Sequence, residues 1–146
     1  MIALVQRVRE ARVEVADRVT GAIGPGLLVF VCAEPADTEA VAARLVDKLV
    51  KLRIFADEAG KMNRSVQDVN GALLVVSQFP LAADVSGGNR PSFTGAAPPV
   101  LGRALYETVL ALVVQRLGAV QAGEFGADMQ VHLVNDGPVT IPLTLR

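Results

Sequence analysis

The sequence predicts a single α+β domain spanning residues 1–146, with a largely antiparallel sheet and two main helices packed on it. Three observations lead there. Strand-like runs rich in Val, Leu and Ile, from "IALVQRV" to "VTIPLTL", outnumber the segments with helical spacing. Only two stretches, opening near residues 38 and 99, repeat apolar residues at helical intervals. Several strand-like runs also lie close enough in sequence to pair as hairpins. The size is that of one domain with a substantial core. The balance of 51% AVILMFWYC against 20% charged residues argues against disorder. Trp is absent and aromatics are only 4%, so Val, Leu, Ala and Ile must build the core.

In chain order, "IALVQRV" and "RVEVAD" read as strands with a turn near Glu10. "GAIGPG" leads into the strand "LLVFV" rather than opening a helix, and it lacks the Lys-Ser/Thr of a P-loop, so it reads as a turn. From Thr38, Val41, Leu45, Leu49 and Leu52 recur opposite Arg44, Asp47, Lys48 and Lys51, with Asp37 as the expected N-cap. "ALLVVSQF" is a buried strand, and "VSGGNRPSFTGAA" at 85–97 is a Gly-rich loop. A second helix from about Pro99 carries Leu101, Leu105, Val109, Leu112 and Val113 and stops at Gly118. Val131–Val134 and Val139–Leu145 read as two strands, the second weakened by Pro142. Between them stands Asn135-Asp136-Gly137-Pro138, where an Asn-Gly or Asp-Gly pair alone would close a hairpin.

The formal net charge of −1 argues against a broad surface that tracks phosphates, but it leaves room for a partner that docks only the end of a nucleic acid. The N-terminus becomes charged too early for a signal peptide and no apolar run could span a bilayer, which predicts a cytoplasmic protein. One histidine, His132, and one cysteine, Cys32, make a His/Cys zinc site implausible, and neither a metal nor a cofactor is expected. Cys32 lies in an apolar run and reads as a buried inert thiol; His132 reads as a surface or interface residue on a strand. No Gly-x-Ser-x-Gly supports a serine triad. An enzyme so short of acid–base side chains should act on an intrinsically reactive substrate, through backbone donors and positioning.

Two segments give that expectation a family. "VVSQFPLAAD" at 75–84 and "VNDGPVT" at 134–140 resemble the signature segments of D-aminoacyl-tRNA deacylase, Ser-Gln-x-Thr and Asn-x-Gly-Pro-x-Thr. The resemblance extends to "MIALVQRV", "GLLVFV", "RIFAD..GKMN", "RPSF" and "FGADMQVHLVNDGPVT", nearly the whole chain. It implies a homodimeric hydrolase with a barrel-like, largely antiparallel or mixed sheet. The enzyme would remove D-amino acids, and misattached glycine, from the 3′-terminal adenosine of tRNA. Ser77, Gln78, Phe79 and position 80 would surround the scissile ester. Gly137 and Pro138, with Asn135, would form a cis unit that enters the pocket of the other subunit, and Arg7, Phe125 and Met129 would support that pocket. Outside the resemblance Gly137-Pro138 reads as a trans turn, since only about 5–6% of X–Pro bonds in folded proteins are cis.

On the implied geometry, backbone carbonyls accept hydrogen bonds from the substrate's α-amino group. An L side chain then meets backbone, a D side chain points outward, and glycine passes. The chain departs from the pattern at Pro80, where the family has threonine. Proline offers neither hydroxyl nor N–H. Either the protein is a catalytically impaired, dimeric RNA-binding relative, or that hydroxyl is not the nucleophile. The second is favoured: an aminoacyl ester is already activated, the neighbouring 2′-OH can orient water, and N–H groups near Gln78 and Phe79 would steady the oxyanion. A related editing enzyme tolerant of some L-amino acids, with a trans Gly-Pro, is a further rival. Arg9 and Arg12 are candidates for tRNA contact.

Overall fold

Alternation along the first strand decides where everything else packs. In the computed structural model, which describes residues 1–146, β1 (Ile2–Val15) buries Ala3, Val5, Val8, Ala11 and Val13. It pairs antiparallel with β2 (Arg18–Ile23) through its second half and with β3 (Gly26–Cys32) through its first. The expected turn near Glu10 is absent, because the strand runs straight through it. The true reversal is at Ala16 and Asp17, both at left-handed φ (48° and 65°), a two-residue hairpin turn without the usual Asn-Gly signal.

β3 continues to β6 (Ala72–Ser77) and β6 to β7 (Gln121–Ala122), both pairings parallel, so the sheet is mixed. Parallel strands covered on both faces need apolar residues at every position. Accordingly Leu27, Val29 and Val31 of β3 and Leu73 and Val75 of β6 face the helices, while Leu28, Leu74 and Val76 face a second core. That second core, with Val8, Ala11, Val13, Val15 and Ile23, fills the inside of a strongly curled sheet. The curl brings β2 back towards β7: Ala22 N–H donates to Gln121 Oε1 at 3.2 Å, and a Cβ at Gly21 would lie 2.5 Å from the Ala122 carbonyl. The sheet is therefore a nearly closed barrel.

Two helices cover the outside: α1 (Glu39–Lys51) and α2 (Pro99–Leu117), the latter capped at Gly118 in left-handed geometry (φ 83°). Leu45, Leu49, Leu105, Val109 and Val113 bury their predicted stripes. Asp37 does not cap α1, whose N-cap is Thr38. Its carboxylate is already taken by the Met1 ammonium (2.9 Å) and the Glu34 N–H (2.7 Å). A small hairpin, β4 (Phe55–Ala56) and β5 (Met62–Arg64), follows α1. No helix is long and apolar enough to cross a membrane.

The last strand, β8 (Gln130–Thr144), pairs antiparallel with β1 along nearly its whole length. The two strands expected on either side of Asn135–Pro138 are thus one strand. No hairpin forms, because both halves face the same partner. Pro142, opposite Leu4, is tolerated because β8 pairs on one side only.

Candidate functional site

The Gly-Pro unit is a bulge in the β1–β8 ladder. Gln6 pairs with Thr140 and Val8 with Asn135, so the four residues Asp136–Val139 stand opposite Arg7 alone. Arg7 fills the gap they open. Its Nε donates to the Asp136 carbonyl at 2.9 Å, and its Nη1 donates to the Ile54 carbonyl at 2.6 Å. Asn135 closes the base of the bulge, its Nδ2 donating to the Arg7 and Val139 carbonyls, both at 2.9 Å. The Gly137–Pro138 peptide bond is cis. Gly137 has φ 144°, which L side chains rarely adopt, and a Cβ there would meet Val139 Cγ2 at 2.7 Å. Gly137 and Pro138 are exposed, as are Leu133 (36%) and Val134 (45%) just before them.

A separate cavity of about 570 Å³ lies between the end of β6 and the start of α2, and it is mostly apolar in lining. Ser77, Phe79, Phe125 and Met129 line it. Arg7, Asn135, Gly137 and Pro138 do not; they belong to the bulge. The site residues named from the sequence therefore fall into two groups, a pocket and a projecting turn, which one chain does not bring together.

At the pocket, β6 ends at Ser77 and a 3₁₀ turn runs from Phe79 to Ala82. Gln78 N–H is committed to the Val31 carbonyl at 2.9 Å, so it is not the free oxyanion donor expected. Phe79, at the first position of the turn, has no intrahelical partner for its N–H. Pro80 follows in the same first turn, where a missing N–H costs nothing. The residue that breaks the family pattern is thus compatible with the local backbone.

Several lining residues are not among the site residues named from the sequence. Phe93, in the Gly-rich loop, sets its ring edge-on to Phe79 at 5.0 Å; its place at the end of the family-like segment "RPSF" is the available hint. Tyr106 lines the cavity and donates to the Val75 carbonyl at 2.8 Å, and burial pushes its hydroxyl up to about 12, so it stays protonated. Cys32 also lines the cavity, but burial raises its thiol and keeps it neutral. His132 belongs to neither group; it stands beside Arg12 (3.3 Å) and Glu14 (3.4 Å) on the sheet surface. Arg12 is paired there with Glu14 at 2.9 Å, and hydrogen bonding from Arg12 holds the Glu14 carboxyl below its usual range. No group of three or more His, Cys, Asp or Glu side chains is placed to hold a metal ion.

The pocket can therefore supply an apolar wall, a serine hydroxyl and a backbone donor, with no buried acid–base pair. Comparisons with known proteins show the family. The family model described as D-Tyr-tRNA(Tyr) deacylase matches residues 4–144. The chain is 68% identical to the D-aminoacyl-tRNA deacylase of Methylibium petroleiphilum, covering 99% of this chain and 95% of that protein. It is 66% identical to the enzyme of the same name from Variovorax paradoxus, covering 99% of both. Among solved structures, one described as c-Myc DNA Unwinding Element Binding Protein superposes with a TM-score of 0.93 at 41% identity, over 99% of this chain and 98% of that one. A probable eukaryotic D-amino acid tRNA deacylase superposes with a TM-score of 0.86 over 97% of each chain; at 18% identity that likeness concerns the fold.

Proposed function

The chain belongs to the D-Tyr-tRNA(Tyr) deacylase family, and from that premise we propose that it hydrolyses the ester of D-aminoacyl-tRNA as a homodimer in the cytoplasm. Each pocket is completed by Gly137-Pro138 of the second copy. The observation that carries this is the separation of the two groups. The pocket around Ser77, Phe79, Phe125 and Met129 lies apart from Asn135, Gly137 and Pro138, which form an exposed, tightly braced turn elsewhere on the same chain. Exposed Leu133 and Val134 beside the turn give it an apolar surround suited to a partner. Two-fold symmetry makes such an exchange reciprocal.

In the completed pocket the carbonyls of the inserted turn accept hydrogen bonds from the substrate's α-amino group. An L side chain collides with backbone; a D side chain points outward, and glycine has nothing to collide. Glycyl-tRNA is therefore a substrate as well. Water adds to the ester carbonyl carbon, Phe79 N–H stabilises the oxyanion, and the adjacent 2′-OH of the terminal adenosine orients the water. The bond from carbonyl carbon to the 3′-oxygen then breaks. The proton lost by water ends on that oxygen, leaving the free amino acid and a tRNA 3′-hydroxyl. Pro80 supports this course over acyl transfer to a hydroxyl at that position, because it has none.

Deacylation of matched D-, L- and glycyl-tRNA tests the proposal. Fast hydrolysis of the D ester and glycyl ester with the L ester spared is expected. Equal rates on D and L esters, or none on the D ester, would contradict it.

A further inference from the structure

Resting on the reading of an aminoacyl-RNA substrate, we infer that Arg103 grips the phosphate immediately 5′ of the terminal nucleoside. Arg103 stands in the first turns of α2, next to Gly102, which lines the pocket. Its guanidinium carbon lies 4.8 Å from the centroid of Phe125, itself a pocket wall. A guanidinium laid on an aromatic ring is held in orientation while its in-plane N–H groups stay free, which suits bidentate phosphate binding.

Two other positive charges near this wall are already compensated. Met1 lines the cavity, and its ammonium is held by Glu34, Asp37 and the Leu145 carbonyl. Arg18 is paired with Glu124 at 2.9 Å. Arg103 has only Glu107, one helical turn on, at 4.0 Å with both side chains more than half exposed. An exposed pair that long holds its arginine weakly. A chain of net charge −1 has no general field to retain a polyanion, so a cation placed beside the pocket matters more here than on a basic surface. A nucleoside seated in the cavity carries its 5′-phosphate out past the wall, where Arg103 stands.

The test compares two non-hydrolysable ligands: a short RNA ending in CCA with a D-amino acid amide-linked at its 3′ end, and the same amide on adenosine alone, which lacks the phosphate. Arg103→Met keeps apolar cover on Phe125 and removes the charge. It should weaken RNA binding about ten-fold and reduce the salt slope by about 0.7, leaving the adenosine amide bound within about two-fold. With hydrolysable esters the same split should appear in KM, with kcat unchanged. Arg103→Lys should recover part of the loss, and Glu107→Gln should not weaken RNA binding. Equal loss on both ligands would assign Arg103 a packing role on Phe125 and overturn the inference, as would no loss on either. If the parent protein hydrolysed neither ester, the proposed activity would fail, while the binding comparison would still decide the role of Arg103.

Discussion

Asn135 and Arg7 brace each other's segments: Asn135 Nδ2 donates to the Arg7 carbonyl at 2.9 Å, and Arg7 Nε donates to the carbonyl of Asp136, the residue after Asn135, at 2.9 Å. These bonds hold open a bulge that the strand ladder alone would close. Replacing Asn135 by Ala leaves two carbonyls without their donor, at a cost of about 1–3 kcal/mol. Asn135→Asp should be worse, because a carboxylate would face those two carbonyls with no proton to give. Urea unfolding should rank the parent above Asn135→Ala and Ala above Asp. Deacylation should fall further than stability in both.

Gly137→Ala should displace the turn. The added methyl would sit 2.7 Å from Val139 Cγ2, 2.9 Å from Val139 N and 3.2 Å from Arg7 Nη2, at a φ of 144° that alanine resists. The exposed position contributes little to the core, so circular dichroism should be unchanged while D-aminoacyl-tRNA hydrolysis drops by at least about ten-fold, roughly 1.4 kcal/mol in the barrier. A variant with parental D and L rates would show that the turn does not touch the substrate.

Pro80→Thr restores the family residue and should change kcat by less than about ten-fold, because an exposed position in a 3₁₀ turn that lacks a hydroxyl cannot carry an essential nucleophile. Replacing the terminal adenosine by 2′-deoxyadenosine should cost much more. Mass spectrometry of rapidly quenched enzyme should find no acyl group on Ser77; finding one would contradict the water mechanism.

Much of this architecture is legible in the sequence, for identifiable reasons. The stripes of α1 and α2 have a strong helical period, and Gly118 stops the second where a left-handed cap is needed. The continuous apolar runs of β3 and β6 mark strands buried on both faces. The errors share a cause: turn chemistry is local, but its use depends on the partner strand. Asn-Asp-Gly-Pro makes a bulge rather than a hairpin because β1 runs past both halves of β8, and Ala16-Asp17 turns without glycine because β2 folds back on β1. Asp37 looks like a helix cap until the chain terminus is brought 2.9 Å from it. The two signature segments name both halves of the candidate site, and the resemblance they carry implies that the halves meet only across two subunits, but nothing in them says that Gln78 spends its N–H on Val31.

The wall of the pocket near Met1 should be sensitive to acid. Burial alone would raise the Glu34 carboxyl, but hydrogen bonds from the Met1 ammonium and from Arg146, both at 2.9 Å, outweigh it and hold the carboxyl below its ordinary value of 4.5. A carboxyl depressed in the fold contributes stability above its unfolded pKa and loses it as pH falls through the folded one. Glu34→Gln should therefore lower the urea midpoint at pH 7 and have a progressively smaller effect as pH drops below 4.5. A difference independent of pH would mean that packing, not charge, gives Glu34 its role.

Whether each pocket is completed by the turn of a second copy is tested most directly by subunit complementation. Ala96→Trp blocks the cavity at a half-buried lining position and leaves the turn intact; Gly137→Ala spoils the turn and leaves the cavity intact. Ala96→Trp alone should be inactive on D-aminoacyl-tRNA, and Gly137→Ala alone should retain about a tenth of the parent's rate or less. After the two are unfolded together and refolded in equal amounts, half of the dimers are mixed and each mixed dimer has one intact composite site, so activity should return to about a quarter of the parent's. If the mixture stays as inactive as its components, pocket and turn do not combine across two copies, and the account of how chirality is read is wrong.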